Sequence, residues 1–93
     1  MYEAYGPGGA ALIMTGITDN KNRTNAEIKH LLSEHGGSLG GAGSTTWAFS
    51  KVEGEWVPNS PLPLSPEDGE KLGELLDLLE EHEDIEGVWN NAE

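Results

Sequence analysis

The chain has 93 residues, no cysteine and a formal net charge of −12. A single domain of this size buries only somewhat more than about 60% of its unfolded surface, so a deep substrate cavity is not expected. Disulfides and thiolate metal sites are excluded, no apolar run approaches the roughly 20 residues of a membrane-spanning helix, and the N-terminus does not read as a signal peptide, which leaves a cytoplasmic protein as the expectation.

Gly6-Pro7-Gly8-Gly9 reads as punctuation before the first apolar run. The apolar run Ala10–Thr18 follows without clean alternation. Such a run suits a strand covered on both faces, or covered on one and central in its sheet. After Asp19-Asn20, the pattern Thr24-Asn25-Ala26-Glu27 reads as a capping box, with Ile28, Leu31, Leu32 and His35 as one stripe of the helix behind it. Gly36 stands where a left-handed helix stop is expected. Ser38–Gly43 is a glycine-rich loop. Ser44–Val52 is rich in strand formers, and Glu53-Gly54 turns the chain into Glu55-Trp56-Val57. Pro58, Pro61 and Pro63 must cut that next strand short, because proline donates no ladder hydrogen bond. Ser65 then caps a helix beginning at Pro66 and running to about His82, with Leu72, Leu75, Leu76 and Leu79 as its buried stripe. Gly69 and Gly73 lie four apart on one face of it, a spacing that would permit close packing on a sheet. Val88-Trp89 begins a last short strand.

The order β-α-β-β-α-β predicts an α+β, ferredoxin-like fold with two helices on one face of an antiparallel sheet. The first and third strands of that arrangement are central. The apolar first strand fits such a place, and the proline-broken third fits it poorly.

Charge is unevenly spread. Up to Lys51 the acids Glu3, Asp19, Glu27 and Glu34 are balanced by Lys21, Arg23, Lys29 and Lys51, whereas from Pro66 onward Lys71 alone faces a long acidic run. An acidic face repels phosphate backbones, so nucleic-acid contact would have to come from the first half. The ordinary reading of the run is a solvated face.

Motifs for chemistry are scarce. No glycine stands in a P-loop or G-x-G-x-x-G frame, so the glycine-rich segments read as turns and close backbone packing. His30 and His35 point to different faces of one helix and His82 lies on another, which supplies no metal set. No serine occupies a nucleophile elbow, and the outward carboxylates of the last helix are not placed for acid catalysis. No cofactor is implied. The one candidate contact surface is the polar segment Asp19–Thr24, with Lys21, Asn22 and Arg23 projecting beside a helix start, and Lys29 and His30 following on the polar side. A solvated turn held by Asx bonds accounts for the same residues.

Tyr5–Gly9, Thr18–Thr24, Glu27–His30, His35–Gly40, Gly43-Ser44 and Trp47–Phe49, with Leu64–Asp68, Leu75–Glu80 and Val88–Glu93 in the tail, resemble the YebC/PmpR family across nearly the whole chain. The resemblance implies that residues 1–93 correspond to the family's middle domain. A basic N-terminal helical domain would be absent, as would an α/β domain inserted at about Lys51–Trp56. Bacterial family members are named as DNA-binding transcriptional regulators, and the related mitochondrial translational activator of cytochrome c oxidase subunit I acts at the ribosome. The resemblance therefore implies a non-enzymatic regulator. Ribosomal RNA would be its leading partner, contacted through Lys21, Asn22, Arg23, Lys29, His30 and the turn Gly6, Pro7, Gly8 and Gly9. Duplex DNA is the alternative partner. A scaffold or dimerisation core, joined only to other domains of the parent protein, is the third reading.

Overall fold

A computed structural model describes residues 1–92. The molecule is built around strand β2, Ala11–Gly16, whose Leu12, Ile13 and Met14 are fully buried. Successive side chains of a strand face opposite ways. Leu12 and Met14 join Ala4, Ile28, Leu32, Leu72, Leu75 and Leu79 in the larger apolar cluster. Ala11 and Ile13 join Ala48 and Phe49 in a smaller one, closed by Trp56 and Trp89. Burial on both faces is why this run shows no alternation.

Strand β1, Tyr2–Tyr5, pairs antiparallel with β2 through the turn at Pro7–Gly9. The sheet is completed by β3, Ser38–Leu39, beside β1, and by β6, Ile85–Asn90, beside β2, giving the order β3-β1-β2-β6 with every pairing antiparallel. Helices α1, Lys21–Glu34, and α2, Pro66–Glu81, pack their buried residues into the larger cluster on one face. The hairpin of β4, Phe49–Val52, and β5, Glu55–Pro58, forms a sheet of its own and covers the opposite face with Phe49 and Trp56. The fold is α+β, with two helices on one face of an antiparallel sheet.

Particular elements depart from the sequence expectation. β1 was not anticipated, because four residues with a charged one among them carry little strand signal. The run expected to be a strand from Ser44 becomes one only at Phe49, since Thr46–Ala48 is a 3-10 turn. The proline-bounded strand β5 never has to be central, because it pairs with β4 alone. That removes the misfit noted in the ferredoxin-like strand order. Helix α1 starts a turn before the predicted Thr24 cap. The Asn20 side chain caps it by accepting from Arg23 N–H at 3.1 Å. Thr24 lies inside the helix, buried, its hydroxyl 2.9 Å from Asp84 Oδ2 and 2.8 Å from Thr18 Oγ1.

The other helix signals hold. Gly36 takes φ +77° after α1, and Ser65 Oγ accepts from Asp68 N–H at 3.2 Å at the start of α2. Gly69 and Gly73, however, are exposed, and a Cβ on either would meet nothing within 4 Å, so they do not serve close packing on the sheet.

Candidate nucleic-acid interface

The segment Lys21–Arg23 is the first turn of α1 rather than a loop, and it stands at the end of the sheet where β2 leaves it. On a helix, positions four apart share a face. Lys21, Asn25 and Lys29 therefore form one stripe, with Asn22 beside it, and all four are exposed. Neither Lys21 nor Lys29 forms an ion pair among the described residues. A groove of about 510 Å³ runs beside this stripe, lined by Lys21, Asn22 and Asn25 together with Met1, Tyr2 and Ile17. Asn25 and Ile17 were not singled out from the sequence; a polar residue four before Lys29 was the available signal for Asn25.

Arg23 and His30 face the other way. The Arg23 guanidinium reaches Asp84 Oδ2 at 3.1 Å and Glu27 Oε1 at 3.5 Å, and His30 Nε2 lies 2.9 Å from Glu34 Oε1. Asp84 raises the Arg23 pKa by hydrogen bond and charge. The Asp84 carboxyl is held below its usual range, first by the Thr24 hydroxyl and then, against some desolvation, by Arg23. His82 completes the seam. Its Nδ1 accepts from Asp84 N–H at 3.1 Å, which places the proton on Nε2, 2.6 Å from Glu27 Oε2. This network joins the start of α1 to the turn after α2, and it occupies Arg23. The bidentate phosphate contact read for Arg23 would compete with a carboxylate already in place.

The turn Gly6, Pro7, Gly8 and Gly9 lies at the opposite end of the sheet. The six residues of β2 separate it from Lys21 by about 20 Å. It packs on α2: a Cβ at Gly8, where φ is +74°, would run into Leu64 and Asp68. The structure does not bring this turn to the surface that carries Lys21 and Lys29.

The second glycine-rich segment, between β3 and β4, wraps an anion that belongs to the protein. Glu3 is 5% exposed. Its Oε2 accepts from Gly43 N–H at 2.6 Å, and its Oε1 accepts from the backbone N–H groups of Thr45 and Thr46, both at 2.9 Å. The Thr45 hydroxyl adds a fourth contact at 3.3 Å. Successive backbone N–H groups pointing into a concavity make an anion site, here filled by a side chain. Burial pushes the Glu3 pKa up, but these hydrogen bonds outweigh it and hold the carboxyl below its ordinary 4.5.

Among the described residues, no group of three histidine, aspartate or glutamate side chains could hold a metal ion. No helix among them is long and apolar enough to cross a membrane.

The family model for the second and third domain of TACO1/YebC matches residues 1–54. A probable transcriptional regulatory protein of Thermoanaerobacter pseudethanolicus is 32% identical over 154 aligned positions, which take in 100% of this chain and 63% of that protein. Another, from Methylacidiphilum infernorum, is 40% identical over 107 positions, covering 95% of this chain and 43% of the relative. The crystal structure of a conserved hypothetical protein from Aquifex aeolicus superposes with a TM-score of 0.89 at 24% identity, over 99% of this chain and 63% of the other. That likeness shows the shared fold.

Proposed function

Since this chain belongs to the TACO1/YebC family, we propose that it is a non-enzymatic regulatory domain that acts in translation by contacting ribosomal RNA along Lys21, Asn22 and Lys29. The observation that carries the proposal is the stripe itself. In a chain of net charge −12, Lys21 and Lys29 stand exposed on one helix face without a carboxylate partner among the described residues. Phosphate contacts by lysine release counterions and position a protein on nucleic acid. Arg23 supports this face from behind, through the seam with Asp84 and Glu27, while His30 pairs with Glu34.

The names of the relatives, probable transcriptional regulatory proteins, favour a second reading, DNA contact through the same stripe. Charge argues against autonomous duplex binding. Two lysines on a strongly acidic domain offer few of the six to ten phosphate contacts, roughly, that sustain a duplex-binding protein. A basic companion domain would have to supply the rest. Within this proposal the family's further α/β domain enters at the β4–β5 turn. The family match ends at Gly54 in that turn, and the 154-position alignment is longer than this 93-residue chain.

Co-sedimentation with ribosomes across a salt series, with excess duplex DNA as competitor, tests the proposal. Retention that DNA does not abolish, and that the double substitution Lys21→Glu and Lys29→Glu removes, is the expected result. No retention even at low salt overturns it and leaves the domain as a scaffold.

A further inference from the structure

The groove beside α1 is more than a row of cations. Ile17 is 72% exposed and Met1 62%, the former more so than any other large apolar side chain noted at the surface. Single exposed apolar residues are ordinary. Here two of them line the same groove as Lys21, Asn22 and Asn25, with Tyr2 also in its lining. Asn22 and Asn25 are exposed, and their amides form no side-chain hydrogen bond among the described residues. Each amide therefore offers a free acceptor and two donors. The volume of about 510 Å³ falls within the range of about 300–1,000 Å³ in which ligand sites fall.

The groove does not end there. A second depression of about 350 Å³ shares Met1, Tyr2 and Asn25 with the first and continues toward Gly40 and Gly41. Its one carboxylate, Glu3, has both oxygens turned to the loop N–H groups. Together the two depressions are lined by the apolar Met1 and Ile17, the amides of Asn22 and Asn25 and the cation Lys21, with Lys29 one helical turn beyond Asn25.

We infer that this trough takes an unpaired stretch of RNA, with a base set against Ile17 and Met1, the Asn22 and Asn25 amides on base edges, and Lys21 and Lys29 on the flanking phosphates. The inference rests on the RNA contact proposed above and narrows it from RNA in general to single-stranded RNA. The chemistry selects against duplexes. An RNA duplex keeps its base faces stacked, and its deep, narrow major groove is closed to side chains, so only a splayed strand can present a base to an apolar wall. Phosphate contacts alone would not discriminate.

The test is fluorescence anisotropy of the 93-residue chain with a labelled, unstructured oligoribonucleotide, an RNA duplex and a DNA duplex, each across a salt series. The single strand binds most tightly. Ile17→Ala and Asn25→Ala weaken single-strand binding about fivefold or more while leaving the salt slope unchanged. Lys21→Ala and Lys29→Ala each lower that slope by about one. Because Ile17 and Asn25 are exposed, thermal melts of these variants match the parent, which separates a lost contact from a lost fold. Equal binding of duplex and single strand, with Ile17→Ala and Asn25→Ala neutral, overturns the inference and leaves the general RNA reading standing. Absence of binding to every RNA at low salt overturns both.

Discussion

Replacing Glu3 by glutamine probes the internal anion site directly. The substitution keeps the shape and removes the charge. One carboxylate oxygen becomes an NH₂ donor. If that group takes the Oε2 position it faces Gly43 N–H, now 2.6 Å from an acceptor, and two donors oppose each other. If it takes the Oε1 position, it faces the N–H groups of both Thr45 and Thr46. The better orientation still leaves one buried N–H without an acceptor, which costs about 1–3 kcal/mol, and it weakens the remaining charge-assisted bonds. We expect a loss of about 2–4 kcal/mol at neutral pH, read from urea unfolding. The pH dependence is a second, independent readout. The folded-state pKa of Glu3 is depressed below 4.5, so its contribution is fully present above that value and is lost as pH falls through the folded pKa. The stability difference between parent and Glu3→Gln should therefore shrink on acidification below about pH 4.5, cancelling the titration of the shared carboxylates. A difference under about 0.5 kcal/mol at neutral pH, or one that does not change in acid, would refute the reasoning.

Three further substitutions test other parts of the fold. Gly69→Ala and Gly73→Ala each raise stability by about 1 kcal/mol, because both sites are helical and a Cβ there meets nothing within 4 Å; urea unfolding checks this, and a loss would mean a packing role that the geometry excludes. Asn91, 4% exposed, accepts from Ala11 N–H and donates to the Ser60 carbonyl, each at 2.8 Å, which pins the chain before α2 to the centre of the sheet. Asn91→Ala strands both partners and destabilises by about 2–4 kcal/mol, measured by thermal or urea melting, and a loss under about 1 kcal/mol would contradict that assignment.

Where one element's sequence carries its own stop and start, the structure agrees with it. Helix α2 is capped by Ser65, opened by Pro66 and striped by Leu72, Leu75 and Leu79, all within one stretch of chain. Hydrogen bonds and apolar spacing inside a helix are local, so the pattern needs no knowledge of what lies across the molecule. The central strand β2 was legible for a related reason: burial on both faces demands an unbroken apolar run wherever the neighbours come from. The proline limits on β5 are likewise local. These features set the fold class, the two helices and the acidic half of the surface.

What remained hidden depends on groups far apart in sequence. Thr24 matched a capping box, yet its hydroxyl faces Asp84, 60 positions away, and Asn20 took the cap. Arg23 read as a free cation until the turn after α2 supplied Asp84. Glu3 entered the sequence reading only in the charge balance, and the loop 40 positions later encloses it. The turn Gly6–Gly9 and the cations of α1 were read as contacting one partner, but the length of β2 holds that turn at the far end of the sheet, and the glycine-rich segment after β3 encloses Glu3. Capping patterns, charge and glycine content are properties of a segment, and the sequence determined them. Whether a charged side chain faces solvent or a partner depends on how distant segments meet, and only the tertiary structure decided that.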